Sequence, residues 1–102
     1  EQSKSGCGPE DAPGLIAAAA RLPHLRVQGL MTMPPLSDDP EQSRPFFRAL
    51  RLLRDGLVRQ LPGCGGLPEL SMGMSADFEA AIEEGATLVR VGTLLFGARS
   101  YT

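Results

Sequence analysis

The 102-residue chain contains no tryptophan, one tyrosine and a single histidine, His24. It has one lysine, Lys4, and two cysteines, Cys7 and Cys64. Each shortage excludes a class of chemistry. Two distant cysteines cannot build a disulfide framework. With one histidine they supply neither a zinc ligand set nor a Cys–His or Ser–His–Asp nucleophile. A mechanism that needs a lysine nucleophile has only Lys4. An excess of one charge sign is also missing. The 10 basic and 12 acidic side chains leave a net charge of −2. The resulting pI near 5.3 excludes the basic footprint of a nucleic-acid binder. No run of about 20 apolar residues is present, which excludes a membrane-spanning helix. The polar start Glu1-Gln2-Ser3-Lys4-Ser5-Gly6 lacks the apolar region of a signal peptide. Together these features predict a reduced, cytoplasmic setting with no metal site.

Glycine and proline, by contrast, are abundant, at 12 and 9 residues. They fall between periodic apolar segments, as tight connections among short elements would. Pro9, Glu10 and Asp11 form a helix-start signature, and Leu15, Ile16, Ala19 and Leu22 share one helical face until Pro23. The segment from Leu25 to Met33 reads as a strand ended by Pro34-Pro35. After a polar connection from Leu36 to Pro40, Phe46, Leu50, Leu53, Leu57 and Leu61 predict a long amphipathic helix. Its Arg44, Arg48, Arg51 and Arg54 read as a solvated face. Pro62-Gly63 ends it, and Gly65-Gly66 makes a turn. Pro68 to Met74 predicts a second strand, and Ser75 is a candidate N-cap for a third helix that buries Phe78, Ala81 and Ile82 and stops at Gly85. Thr87 to Val91 predicts a third strand, and Leu94 to Gly97 a short last turn. Strands alternating with helices imply βαβ units and a parallel α/β sheet.

In such folds chemistry gathers where strands hand over to helices, at their carboxyl ends. The segments Ser71-Met72-Gly73-Met74-Ser75 and Arg90-Val91-Gly92-Thr93 share a design. Each offers glycine for close backbone approach, a hydroxyl, and a helix start whose N–H groups can hold a phosphate. The competing structural reading is that Ser75 only caps a helix and Gly92 only turns a corner. Arg90 lies between Val89 and Val91 and points to the opposite face from them. If the valines pack against helices, its guanidinium faces the interior and needs either an anionic ligand or a structural ion pair with Glu69 or Asp77. His24 falls at the other end of a strand and reads as surface. Met31, Met33, Met72 and Met74 read as barrel core, and in a partial barrel Met31, Met72 and Val91 would be uncovered.

Four segments carry a resemblance: Ser3-Lys4-Ser5-Gly6, Gly29-Leu30-Met31-Thr32-Met33-Pro34, Leu70-Ser71-Met72-Gly73-Met74-Ser75-Ala76-Asp77, and Val89-Arg90-Val91-Gly92-Thr93 through Phe96-Gly97-Ala98-Arg99. In this order they closely resemble the pyridoxal 5′-phosphate homeostasis protein (YggS/PROSC) family. The resemblance implies a TIM-type (β/α)8 barrel similar to the N-terminal domain of alanine racemase. Residues 1–102 would form the C-terminal portion of that domain, with about three parallel strands (the family's strands six to eight) alternating with helices. It also implies a pyridoxal phosphate carrier with no accepted reaction and no catalytic residue here. Cofactor-binding positions fall on Ser71, Met74, Ser75, Arg90, Gly92 and Thr93. Of these, Ser75, Gly92 and Thr93 match phosphate-binding positions, and Arg90 matches the position beside the pyridine nitrogen. The family's Schiff-base lysine lies on the first strand, so Lys4 does not take that role. The partners implied are pyridoxal phosphate and cofactor-dependent client enzymes. Two other readings are an alanine-racemase-like enzyme fragment and a noncatalytic half-barrel that works by association.

Overall fold

Strand β2 (Glu69–Met74) organises the fold, with a parallel neighbour on each side. The computed structural model describes residues 6–92, so Lys4, Thr93 and the expected last turn at Leu94 to Gly97 lie outside the described residues. Strand β1 (Gly29–Met31) pairs Leu30 with Leu70 and Met31 with Ser71. Strand β3 (Leu88–Arg90) pairs Leu88 with Ser71 and Arg90 with Met74, with a bulge in β2 between those two pairs. Helix α1 (Ala12–Ala20) precedes β1, α2 (Pro40–Gln60) links β1 to β2, and α3 (Phe78–Glu83) links β2 to β3. This is the α/β alternation expected of a portion of a TIM-type barrel.

Several boundaries differ from the sequence reading. The first strand is shorter than Leu25 to Met33. Its pairing starts where Glu69 N–H donates to the Gln28 carbonyl at 2.8 Å, because the preceding Pro68 has no N–H to give. It ends after Thr32 N–H donates to the Ser71 carbonyl at 3.2 Å, before Pro34-Pro35. In α1, Ala12 and Ile16 are buried while Leu15 is exposed, and Leu22, just past the helix, is exposed too. In α2 the buried aromatic is Phe47, not Phe46, a small rotation from the expected face. Asp39 caps α2, its carboxylate accepting from Glu41 N–H at 3.0 Å. Helix α3 starts at Phe78, not after Ser75, and buries Ala80 and Ala81 while Ile82 stays exposed. It ends as expected at Gly85, whose φ of +105° suits the left-handed stop. The stop carries paired bonds from Ala86 N–H to Ala81 and from Gly85 N–H to Ile82.

The core lies on one face of the sheet. Ala12, Ile16, Leu57, Cys64 and Leu67 form one cluster, and Phe47, Leu70, Met72, Ala80 and Ala81 a second, with Leu30 packed against both. Met72 is therefore fully covered by the helices, contrary to the expectation that a partial barrel would uncover it. Met31, on the opposite face, is 62% exposed. The difference follows from the two-residue period of a strand: Leu70 and Met72 point one way, Ser71 the other. Gly73 lies in the bulge with φ +104°, and a Cβ there would sit 2.7 Å from the Ala81 Cβ. Leu67 also holds a positive φ, 44°. It is fully buried, and Arg54 donates to its carbonyl at 3.0 Å.

The four arginines of α2 expected as a solvated face, Arg44, Arg48, Arg51 and Arg54, are each paired with a carboxylate, although Arg48 stays exposed. Arg44, Arg48 and Arg51 all converge on Glu84, at 3.1, 3.1 and 3.4 Å. The Glu84 side chain is 8% exposed. Arg44 also pairs with Glu41 at 2.8 Å and Glu83 at 2.7 Å. Hydrogen bonds from Arg48 and Arg44 hold the Glu84 carboxyl down at about 2, against an ordinary value of 4.5. Bonds to Glu41, Glu83 and Glu84, in that order, raise the Arg44 guanidinium above its ordinary range, and the bond to Glu84 raises that of Arg48. The cluster locks α2 to the end of α3.

Two outcomes are expected. Gly73→Ala should cost about 1–3 kcal/mol in urea unfolding, because the left-handed backbone and the Ala81 contact both resist a Cβ. A lowered carboxyl pKa stabilises the fold above the unfolded-state value and loses that contribution as pH falls through the folded one. Thermal stability should therefore drop between pH 4.5 and about 2. Glu84→Gln should melt lower at neutral pH and show a shallower acid slope. A variant with an unchanged slope would remove Glu84 from this role.

Candidate functional site

The face of the sheet that the helices leave open carries Met31, Ser71, Leu88 and Arg90. Leu88, 51% exposed, stands beside Ser71 in the register, and Val89 lies on the other side, near the position a Gly73 Cβ would take. Arg90 consequently projects from the open face, as its place between two valines predicted. Its Nη1 donates to Ser71 Oγ at 2.7 Å, and its Nη2 to the Thr32 carbonyl at 3.4 Å. The side chain thus spans all three strands near their carboxyl ends. Among the described residues it makes no ion pair with Glu69, Asp77 or any other carboxylate. Asp77 is committed elsewhere. A guanidinium has five N–H donors, and the two contacts leave three of Arg90's without a partner among the described residues. A half-buried cation with donors unspent among the described residues has the chemistry to receive an anion or a ring acceptor.

Beyond the bulge, the chain turns sharply. Asp77 Oδ1 accepts from Met74 N–H at 2.8 Å, and Asp77 N–H donates to the Met74 carbonyl at 3.1 Å. This two-way clasp replaces the expected Ser75 cap: Asp77 occupies the N-cap position of α3, and Ser75 sits half-buried in the turn before it. Met74 is 43% exposed on the rim. Gly92 is exposed, and no described residue lies within 4 Å of where a Cβ would stand. Thr93 lies outside the described residues.

The structure therefore brings Ser71, Met74 and Arg90 together, with the Ser75 turn directly after Met74 and Gly92 two residues beyond Arg90. Two roles escaped the sequence reading, that of the Thr32 carbonyl as a partner of Arg90 and that of Asp77 as a clasp on Met74. A backbone carbonyl leaves no sequence signal. Asp77 had one, as an aspartate three residues after a strand-ending Met74, in position to bond backward to the main chain. No cluster of His, Cys, Asp and Glu suited to a metal occurs among the described residues.

The family model for the alanine racemase N-terminal domain matches residues 2–100. The chain belongs to this family. Within it, the similarity lies with pyridoxal phosphate homeostasis proteins. The one from Aquifex aeolicus is 55% identical over 101 residues, covering 99% of this chain and 43% of that protein. The one from Pseudomonas aeruginosa is 53% identical over 102 residues, covering 99% of this chain and 41% of that protein. Among solved structures, PipY of Synechococcus elongatus with PLP bound is 37% identical with a TM-score of 0.83, covering 92% of this chain and 44% of PipY. PipY without PLP gives a TM-score of 0.85, covering 95% and 45%. This member of the alanine racemase N-terminal domain family thus spans about two fifths of the length of the curated relatives it matches. No helix among its described residues is long and apolar enough to cross a membrane.

The Asp77 clasp makes a prediction. Asp77→Ala should free Met74 N–H and speed its amide hydrogen exchange by roughly tenfold, the loss of about one charge-assisted hydrogen bond. Unchanged protection at Met74 would show that the turn holds without it.

Proposed function

We propose that the protein carrying this chain binds pyridoxal 5′-phosphate and serves cytoplasmic cofactor homeostasis, as a carrier for dependent enzymes rather than a catalyst. Residues 1–102 would belong to a barrel domain shared with the longer relatives and contribute a noncovalent part of its site. The observation that carries this reading is Arg90: a half-buried cation at the carboxyl ends of parallel strands, with donors to spare and no carboxylate beside it among the described residues. The names of the relatives and the PLP-bound PipY structure support the choice of ligand.

The residues fit the cofactor's two polar ends. Ser75 lies in the turn after β2, and Gly92 and Thr93 follow β3. They would hold the phosphate through a hydroxyl pair and an approachable backbone, where small side chains let oxygen atoms come close. Arg90 would stand beside the ring nitrogen, and Met74 and Ser71 border the same space. A guanidinium donates and cannot accept, so placed there it keeps that nitrogen unprotonated. It thereby weakens the electron-withdrawing power that the cofactor supplies when bound, which suits storage and transfer more than carbanion chemistry.

Binding should separate these roles. Thr93→Val, measured by absorbance titration in the natural polypeptide, should weaken pyridoxal 5′-phosphate by roughly tenfold or more and leave unphosphorylated pyridoxal nearly unchanged. Arg90→Ala should weaken both and shift the absorbance of the bound cofactor. Equal loss of the two vitamers in Thr93→Val would overturn the phosphate assignment.

A further inference from the structure

Arginine is a poor ligand group unless something aims it. Its side chain carries about 2 kcal/mol of rotamer entropy, and packing usually removes that freedom. Among the described residues packing around Arg90 is sparse, since Met31 is 62% exposed and Leu88 51% exposed on the same face. Two hydrogen bonds fix its direction. The bond to the Thr32 carbonyl is long, at 3.4 Å, near the limit at which such contacts retain strength. The bond to Ser71 Oγ is short, at 2.7 Å. Ser71 is itself held firmly, in the central strand, with its carbonyl accepting from Thr32 N–H and its neighbours paired on both sides. The bulge adds a constraint. It sets Arg90 opposite Met74, so the guanidinium must turn back along β2 to meet Ser71 instead of extending past the strand end into solvent.

We infer that Ser71 is a positioning residue for Arg90, acting on a ligand through the guanidinium and not by touching the ligand itself. This replaces the direct cofactor contact expected for Ser71, and its binding consequence rests on the reading of Arg90 as a cofactor-binding residue. The hydroxyl accepts one N–H and orients the planar group, while three donors stay without a partner among the described residues.

The experiment has a ligand-free arm and a binding arm, both in the natural polypeptide. In the first, nitrogen-15 NMR at low temperature follows the Arg90 side-chain resonances. The wild type should show slow guanidinium rotation with separate Nη signals, Ser71→Ala should average them, and Ser71→Thr, which restores a hydroxyl, should recover them. In the second, pyridoxal 5′-phosphate is titrated into single and double variants. Ser71→Ala should weaken binding roughly fivefold, the worth of one hydrogen bond, and should have no further effect once Arg90→Ala is present. Unchanged Arg90 signals in Ser71→Ala overturn the inference. So does an equal loss of affinity with and without Arg90, which would mean that Ser71 meets the ligand directly. Signals that change as expected in a protein that binds no pyridoxal 5′-phosphate support the positioning role and sink the cofactor reading alone.

Discussion

The pairing of β2 with a parallel strand on each side is the constraint from which the rest follows. A strand hydrogen-bonded along both edges cannot rotate, so its alternating side chains are assigned to opposite faces once and for all. Leu70 and Met72 go to the helices, where they are fully buried. Ser71 goes to the open face, where it meets Arg90. A one-residue slip of β2 would place Ser71 among Phe47 and Ala81 and leave Leu70 and Met72 on the open side. The apolar cost of that slip is what protects the polar arrangement.

Two local devices adapt this frame to a site. Gly73 accepts a left-handed backbone and lets Ala81 approach, which shifts the β2–β3 register by one residue at the strand end. Asp77 then ties both polar groups of the Met74 backbone into a tight turn. The outcome is a fixed rim immediately before α3, with Met74 on it and Ser75 just beyond. The arginine cluster on Glu84 works at the far end of α3 and keeps that short helix against α2. Charge thus serves two separate ends here. On the helix side every arginine of the cluster has carboxylate partners, and on the open face Arg90 has only hydroxyl and carbonyl partners among the described residues.

That contrast connects the architecture to the chemistry of the family. A guanidinium neutralised by carboxylates is structural, whereas one held by neutral acceptors keeps its full charge for a ligand. The similarity to pyridoxal phosphate homeostasis proteins and to PLP-bound PipY names a ligand with a phosphate and a ring nitrogen. In the proposed reading, the carboxyl ends of the strands supply the small residues and the cation that such a ligand calls for.

Sequence alone determined the element order, the α/β class, the long α2, the Gly85 stop and the face on which Arg90 projects, because periodicity, proline, glycine and strand alternation act over a few residues. It also carried the family, through motifs such as Ser71-Met72-Gly73-Met74-Ser75. Tertiary structure decided what depends on partners distant in the chain. Phe47 displaced Phe46 in the core, and the arginines turned from a presumed solvated face into a clamp on Glu84, a residue more than thirty positions away. Asp77 took over the turn assigned to Ser75, and among the described residues Arg90 found Ser71 and Thr32 instead of an acidic partner. Local patterns say which way a side chain points, but only the packed chain says what it meets there.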